Sequence, residues 1–181
     1  MTRTARAART ALISLLVPLF LAACAGPGGL PGARTWDGRF SLTYPSPSGE
    51  GAASGNFRLV SQGDALNLRL STPVGITIAE ITYDGSGARV EAGGQTSSAP
   101  TLEEAVSRAA GFALPVSEMR SWLDGVPDPA SSFAASSEKG AFTQAGWTVS
   151  PSRFKENGPE LIRAENPKEG VRVRLLVKNR S

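Results

Sequence analysis

The chain has 181 residues, 40% of them hydrophobic and 19% charged, with 20 Gly, 13 Pro, one Cys and no His. That length suits one ordinary domain, and the composition is neither that of a disordered polymer nor that of a polytopic membrane protein. Without histidine and with a single cysteine, the chain cannot build a Ser-His-Asp or Cys-His nucleophile, a structural zinc cluster or an internal disulfide. The formal charge of +3 raises the question of nucleic acid, which the placement of the basic residues answers.

Arg3, Arg6 and Arg9 precede an apolar run from Ala11 to Ala23 that is broken by Pro18. A charged start followed by an apolar run of this length reads as a secretory signal, too short and interrupted for a comfortable membrane span. The run closes on Leu21-Ala22-Ala23-Cys24, similar to the lipobox at which bacterial lipoproteins are acylated and cut. The competing reading, a buried free cysteine at the end of a hydrophobic helix, does not account for the basic start or the small residues. Cleavage before Cys24 removes three of the 19 basic residues and leaves the remainder balanced against 16 acidic ones. Such a chain lacks the surplus of Lys and Arg that nucleic-acid binding requires, so we expect no nucleic-acid partner. An acylated Cys24 is the expected anchor, held at about 0.8 kcal/mol per buried methylene. Ala25 rather than Asp follows it, the pattern expected of lipoproteins released to the outer membrane. Residues 24–35, rich in Gly and Pro, read as a tether.

From Trp36 the sequence alternates with period two, the signature of strands with one buried face. Phe40, Leu42 and Tyr44 alternate with Arg39, Ser41 and Thr43. Leu66, Leu68 and Leu70 oppose Asn67, Arg69 and Ser71, and Val171, Val173, Leu175 and Val177 alternate with Arg172, Arg174 and Lys178, with Leu176 out of step. Shorter runs at 54–60, 76–83, 88–92, 140–145, 147–150 and 160–164 are separated by turn-forming Gly, Asp, Asn and Pro. The chain is therefore expected to be mainly antiparallel sheet.

Two helices interrupt the pattern. Thr101 precedes Leu102-Glu103-Glu104 as in a capping box, Leu102, Ala105, Val106 and Ala109 share a helical face, and Gly111 ends the segment. A second helix is expected from Val116 to Asp124, with Met119, Trp122 and Leu123 on one side and Gly125 as its stop. Two helices set among eight or more strands suggest a curved sheet held open by helices over an apolar hollow. Its expected lining is Leu66, Leu68, Leu70, Ile78, Ile81, Val106, Met119, Trp122 and Leu123. The carboxylates are scattered, and none forms a pair suited to acid/base chemistry. Gly28-Gly29 and Gly93-Gly94 lack the strand-to-helix setting of a phosphate cradle. No enzyme, metal site or cofactor is expected.

In Thr72-Pro73-Val74-Gly75-Ile76, Pro73 fixes one dihedral and Gly75 permits a reversal, which places Val74 at the tip of a turn between strands. Two readings stand: Val74 tucks into the core, or it projects toward lipid.

Several segments carry a resemblance. The lipobox, Trp36-Asp37-Gly38-Arg39-Phe40, Thr72-Pro73-Val74-Gly75, Gly111-Phe112-Ala113-Leu114-Pro115, Arg120-Ser121-Trp122-Leu123-Asp124-Gly125-Val126-Pro127 and Gln144-Ala145-Gly146-Trp147-Thr148-Val149 together resemble the LolB family of outer-membrane lipoprotein receptors, in the family's order from Trp36 onward. The resemblance implies a half-open antiparallel β-barrel of about ten or eleven strands capped by helices, similar to LolA and LolB, over residues 36–181. It implies a monomeric receptor whose cavity accepts the acyl chains of lipoproteins from a periplasmic LolA carrier and places them in the outer membrane, itself facing the periplasm. The membrane-inserting loop would be Pro73, Val74, Gly75 and Ile76, with Val74 where the family commonly carries Leu. An outer-membrane lipoprotein of similar fold that binds or assembles partners without transfer is the alternative.

Overall fold

The computed structural model describes residues 32–181; the signal segment, Cys24 and most of the tether lie outside the described residues. The element order is β1 (Arg34–Ser46), β2 (Gly49–Gln62), β3 (Ala65–Ser71), β4 (Thr77–Tyr83), β5 (Ala88–Ala92), β6 (Gln95–Ala99), α1 (Leu102–Ala110), α2 (Val116–Trp122), β7 (Phe133–Ala135), β8 (Phe142–Gln144), β9 (Trp147–Lys155), β10 (Gly158–Asn166) and β11 (Val171–Arg180).

All strands join one antiparallel sheet in the order β6-β5-β4-β3-β2-β1-β11-β10-β9-β8-β7. Each run of strands is a simple meander, and the two meet where β1 pairs with β11, Phe40 opposite Leu175 and Leu42 opposite Val173. The sheet remains open because its two edges, β6 and β7, are joined in sequence by the two helices rather than by hydrogen bonds. A segment that must span the gap between edges is placed to cover the concave face, and the alternation of the strands makes that face apolar.

One face of β1, β2, β3, β4, β10 and β11 supplies the core: Trp36, Phe40, Phe57, Leu59, Leu68, Ile81, Ile162, Val173 and Leu175 pack with Leu102, Ala105 and Val106 of α1 and Val116 and Trp122 of α2. The core cluster falls entirely between Trp36 and Val177. The first and last strands are also tied by mutual hydrogen bonds between Thr35 and Ser181 (2.7 and 3.0 Å). Residues 32–181 therefore carry a core of their own.

Helix α1 starts as the capping pattern dictates, with Thr101 Oγ1 accepting from the Glu104 amide at 3.3 Å, and ends at Gly111 in the left-handed region (φ 80°). The reciprocal half of the box does not form: the Glu104 carboxylate instead pairs with Arg108 one turn on. Ala109, expected on the buried face, is exposed, because only the first two turns of α1 lie against the sheet. Two strands escape the period-two reading. β6 (QTSSA) carries no bulky apolar residue, and β7 is three residues long with every position exposed.

Candidate functional site: an apolar hollow under a two-helix lid

Beneath the connection between α1 and α2 lies a hollow walled by thirteen residues, all apolar: Phe40, Leu42, Phe57, Leu59, Leu68, Leu70 and Ile81 from one side of the sheet, Val173 and Leu175 from β11, and Leu114, Val116, Met119 and Leu123 from the lid. No titratable side chain borders it. The Glu80 carboxylate points to the opposite face of β4, where the Asn67 amide and the Arg69 guanidinium hold its pKa below the usual value. The open space amounts to about 70 Å³. An apolar cavity of about 150 Å³ takes one benzene, so the hollow as it stands holds about three carbons. A longer chain enters only if lid side chains move aside.

The lid is fastened at one end. Trp36 Nε1 donates to Asp124 Oδ1 at 3.0 Å, Arg34 pairs with the same carboxylate at 2.8 Å, and Arg180 donates to the Leu123 carbonyl at 2.8 Å. Trp122 Nε1 donates to Gln144 Oε1 at 2.8 Å; this oxygen also accepts from the Asp128 amide at 2.8 Å, and Gln144 Nε2 donates to the carbonyls of Asp128 and Ser131. Every polar atom of a side chain that is only 2% exposed is thereby satisfied. At the other end, Phe112, Leu114 and Met119 are half-buried, and Phe112 is stacked on Tyr44 of β1 at 5.2 Å between ring centroids. Such a pair contributes about 0.5–1.5 kcal/mol beyond area. Phe112→Ala is therefore expected to speed hydrogen exchange of the Gly111 and Val116 amides, which bond the Ser107 and Leu114 carbonyls, about tenfold while leaving the amides of Leu123 and Gly125 protected; equal acceleration at both ends would show that the lid is not hinged.

The structure brings together five of the predicted lining residues, Leu68, Leu70, Ile81, Met119 and Leu123, and separates the other four. Ile78 lies on the outer face of β4 and is 39% exposed, since Ala79 and Ile81 occupy the inward positions. Leu66 shares the inner face but sits one pair deeper, beyond the hollow. Val106 is buried beneath α1, and Trp122 packs edge-on with Phe142 and tilted against Trp147. Eight lining residues were missed: Phe40, Leu42, Phe57, Leu59, Val173 and Leu175 lie on alternating faces that the sequence displays, where the absent information was which strands face one another, and Leu114 and Val116 lie just before and at the start of α2, where no strand period marks them.

The β3–β4 turn departs directly from this wall, because Leu70 lines the hollow and Thr72 opens the turn. The Thr72 carbonyl accepts from Gly75 N at 2.9 Å and its hydroxyl from Ile76 N at 3.1 Å, while Thr72 N donates to the Ile76 carbonyl at 2.8 Å. Asn56 Nδ2 also bonds the Thr72 carbonyl at 3.1 Å. Gly75, at φ 93°, supplies the left-handed step. At the base of the turn a Cβ on Gly55 would lie 2.0 Å from the Ser71 carbonyl oxygen, so only glycine lets β3 approach β2 this closely where the chain leaves the sheet. Val74 is 83% exposed and Ile76 66%. Of the two readings of Val74, burial in the core is thus excluded: a rigid turn presents two bare aliphatic side chains to its surroundings.

Residues 34–179 match the family described as outer membrane lipoprotein LolB. The outer-membrane lipoprotein LolB of Cupriavidus pinatubonensis is 33% identical, covering 96% of this chain and 93% of its own, and that of Cupriavidus taiwanensis is 35% identical over 80% of this chain and 77% of its own. Among solved structures, a LolA superfamily protein from Nitrosomonas europaea is similar at a TM-score of 0.42 and 9% identity, over 81% of this chain and 85% of its own. The family match spans nearly the whole folded unit, from the first strand to the last, and on that ground the chain belongs to the outer-membrane lipoprotein LolB family.

Proposed function

We propose that this chain is an outer-membrane receptor, anchored through an acylated Cys24 and facing the periplasm, that takes acylated lipoproteins from a LolA-like carrier and inserts them into the membrane. The carrying observation is the continuity of an apolar hollow with a rigid turn that exposes Val74 and Ile76. An acyl chain of roughly sixteen carbons costs on the order of 10 kcal/mol to expose to water, at about 0.8 kcal/mol per methylene. Moving it between membranes requires successive apolar shelters and no nucleophile, metal or cofactor, so the reading is one of transfer rather than of catalysis. Direction follows if this hollow holds the chain more strongly than the carrier does.

Acceptance requires the lid to yield at its Phe112–Leu114 end while Asp124, Gln144 and Arg180 retain the other. Met119, unbranched and adaptable, suits a wall that must reshape around a flexible chain. Work as a monomer fits a core that is complete within one chain. The test is to mix residues 26–181 with the complex of carrier and lipoprotein: cargo is expected to move to this chain without an energy source. Retention by the carrier would favour a binding or assembly module of the same fold.

A further inference from the structure

On the outer face of the sheet, away from the hollow, a groove of about 350 Å³ crosses β10, β11, β1 and β2 and ends against Pro73 at the base of the exposed turn. Its floor is apolar: Leu161 and Leu176 stand directly opposite each other there, which explains why Leu176 is out of step in β11. Its rim carries Arg39, Arg153 and Arg174. Register fixes this arrangement, since Leu176 is paired with Arg39, Ser41 with Arg174, and Arg174 with Arg163 on β10.

Four exposed arginines, Arg39, Arg153, Arg163 and Arg174, thus share one surface, and among the described residues none of them makes a close ion pair; Arg153 acts on Glu160 only through space. The others on the outer face are matched: Arg58 with Asp37, Arg69 with Glu80, Arg89 with Glu91 and Arg172 with Glu50. Like charges directly opposite in a sheet, as at Arg163 and Arg174, are unfavourable, and an anion bound between them relieves that repulsion. Glu160, the nearest acid along the β9–β10 hairpin, is engaged by Lys155 at 2.8 Å. Arg153 is further distinguished by its backbone. Alternation after the inward Val149 and Pro151 would aim it into the sheet, yet it adopts φ 56° and lines the outer groove. A non-glycine residue in that region stores strain, a feature concentrated at functional positions.

We infer that this groove binds the anionic headgroups of phospholipids when the turn carrying Val74 meets the membrane. The inference rests on the proposed membrane role of that turn. Arginine forks match phosphate oxygens, the Leu161–Leu176 floor suits the glycerol and first acyl carbons, and Pro73 joins the groove to the inserting tip. The sheet would then lie with its arginine face toward the bilayer.

Binding of residues 32–181, which lack the anchor, to sedimented vesicles tests this. Wild type is expected to bind vesicles containing about a third phosphatidylglycerol more tightly than pure phosphatidylcholine, with the excess falling as salt rises. The triple variant Arg39→Gln, Arg153→Gln, Arg174→Gln should lose about a hundredfold on the anionic vesicles, roughly fivefold per charge, keep its binding to neutral vesicles and unfold no earlier than wild type. Val74→Glu should weaken binding to both kinds. If Val74→Glu alone changes nothing, the turn reading fails while the groove stands. Unaltered binding of the triple variant to anionic vesicles overturns the headgroup proposal, and if that variant then loses only its receipt of cargo from the carrier, the groove is a protein-docking surface.

Discussion

Val74→Glu is expected to leave the fold and the acceptance of cargo intact and to reduce delivery into membranes by two to three orders of magnitude. The side chain is 83% exposed, and surface substitutions of this kind shift stability by less than about 0.5 kcal/mol. In lipid the same position contributes about 1.5 kcal/mol through burial of the valine, and a carboxylate there adds a penalty of roughly 2.5 kcal/mol. Ile76 supplies a second aliphatic group on the same turn, so Val74→Ala should lose less than tenfold. Measuring cargo held by the receptor separately from cargo in the vesicle pellet checks both steps; loss of acceptance together with delivery would mean that the turn serves the carrier and not the membrane.

The largest effect on stability is expected at the junction that fastens the lid. Trp122→Ala removes a side chain that is 1% exposed, and such a truncation costs about 3–5 kcal/mol. It also strips Gln144 Oε1 of one of its two donors, at a further 1 kcal/mol or so. Gln144→Leu leaves the Trp122 indole, the Asp128 amide and two carbonyls without their partner, and should cost about 3 kcal/mol or more. Urea unfolding at neutral pH checks both, and a loss under about 1 kcal/mol for either would show that α2 is not held by this network. With Arg120 bonding the Gly63 carbonyl at 3.1 Å and Val116 buried as remaining ties of α2 to the sheet, these variants should loosen α2 ahead of the sheet rather than free the whole lid, detectable as early exchange of α2 amides.

Strand positions were legible where bulky aliphatic residues alternate, as in Leu66-Leu68-Leu70 and Val171-Val173-Leu175-Val177, since period two follows from the pleat alone. β6 was not, because its Gln, Thr and Ser belong to an edge that packs against α1 through backbone and small atoms, and β2 begins five residues before its first expected position, in a Gly-Ala stretch whose pairing with β1 is set by the hairpin rather than by side chains. The misplacement of Ile78 has a visible cause. Ile78 and Ile81 are three residues apart and cannot share a face of a regular strand, so the sequence contained the correction. Grouping Trp122 with the hollow failed for another reason: a helical face shows which side is apolar, while the choice between an open wall and the packed layer of Phe142 and Trp147 depends on distant segments. The arginine groove lay furthest from view. The charge balance of the chain beyond Cys24, 16 basic against 16 acidic residues, conceals four arginines without a close ion pair that come together only when β1, β9, β10 and β11 are laid side by side.

The proposed function and the proposed headgroup groove together imply a sequence of events. In it, the exposed turn and the arginine face would position the domain on the bilayer, the free end of the lid would give way to an acyl chain, and the chain would leave along the wall that ends at Leu70. Each step uses a different part of the same sheet, which is why variants at Val74, Phe112 and Arg174 should separate docking, lid motion and charge recognition.

The most direct measurement is to load the domain with a lipoprotein whose acyl chain carries a photoreactive group at its end, irradiate, and map the adducts. Adducts on Leu68, Ile81, Met119 and Leu123, in a domain whose lid amides at Gly111 and Val116 have become exchangeable, are the predicted result. Adducts confined to the outer face or to the turn, with the lid still protected, would contradict the account.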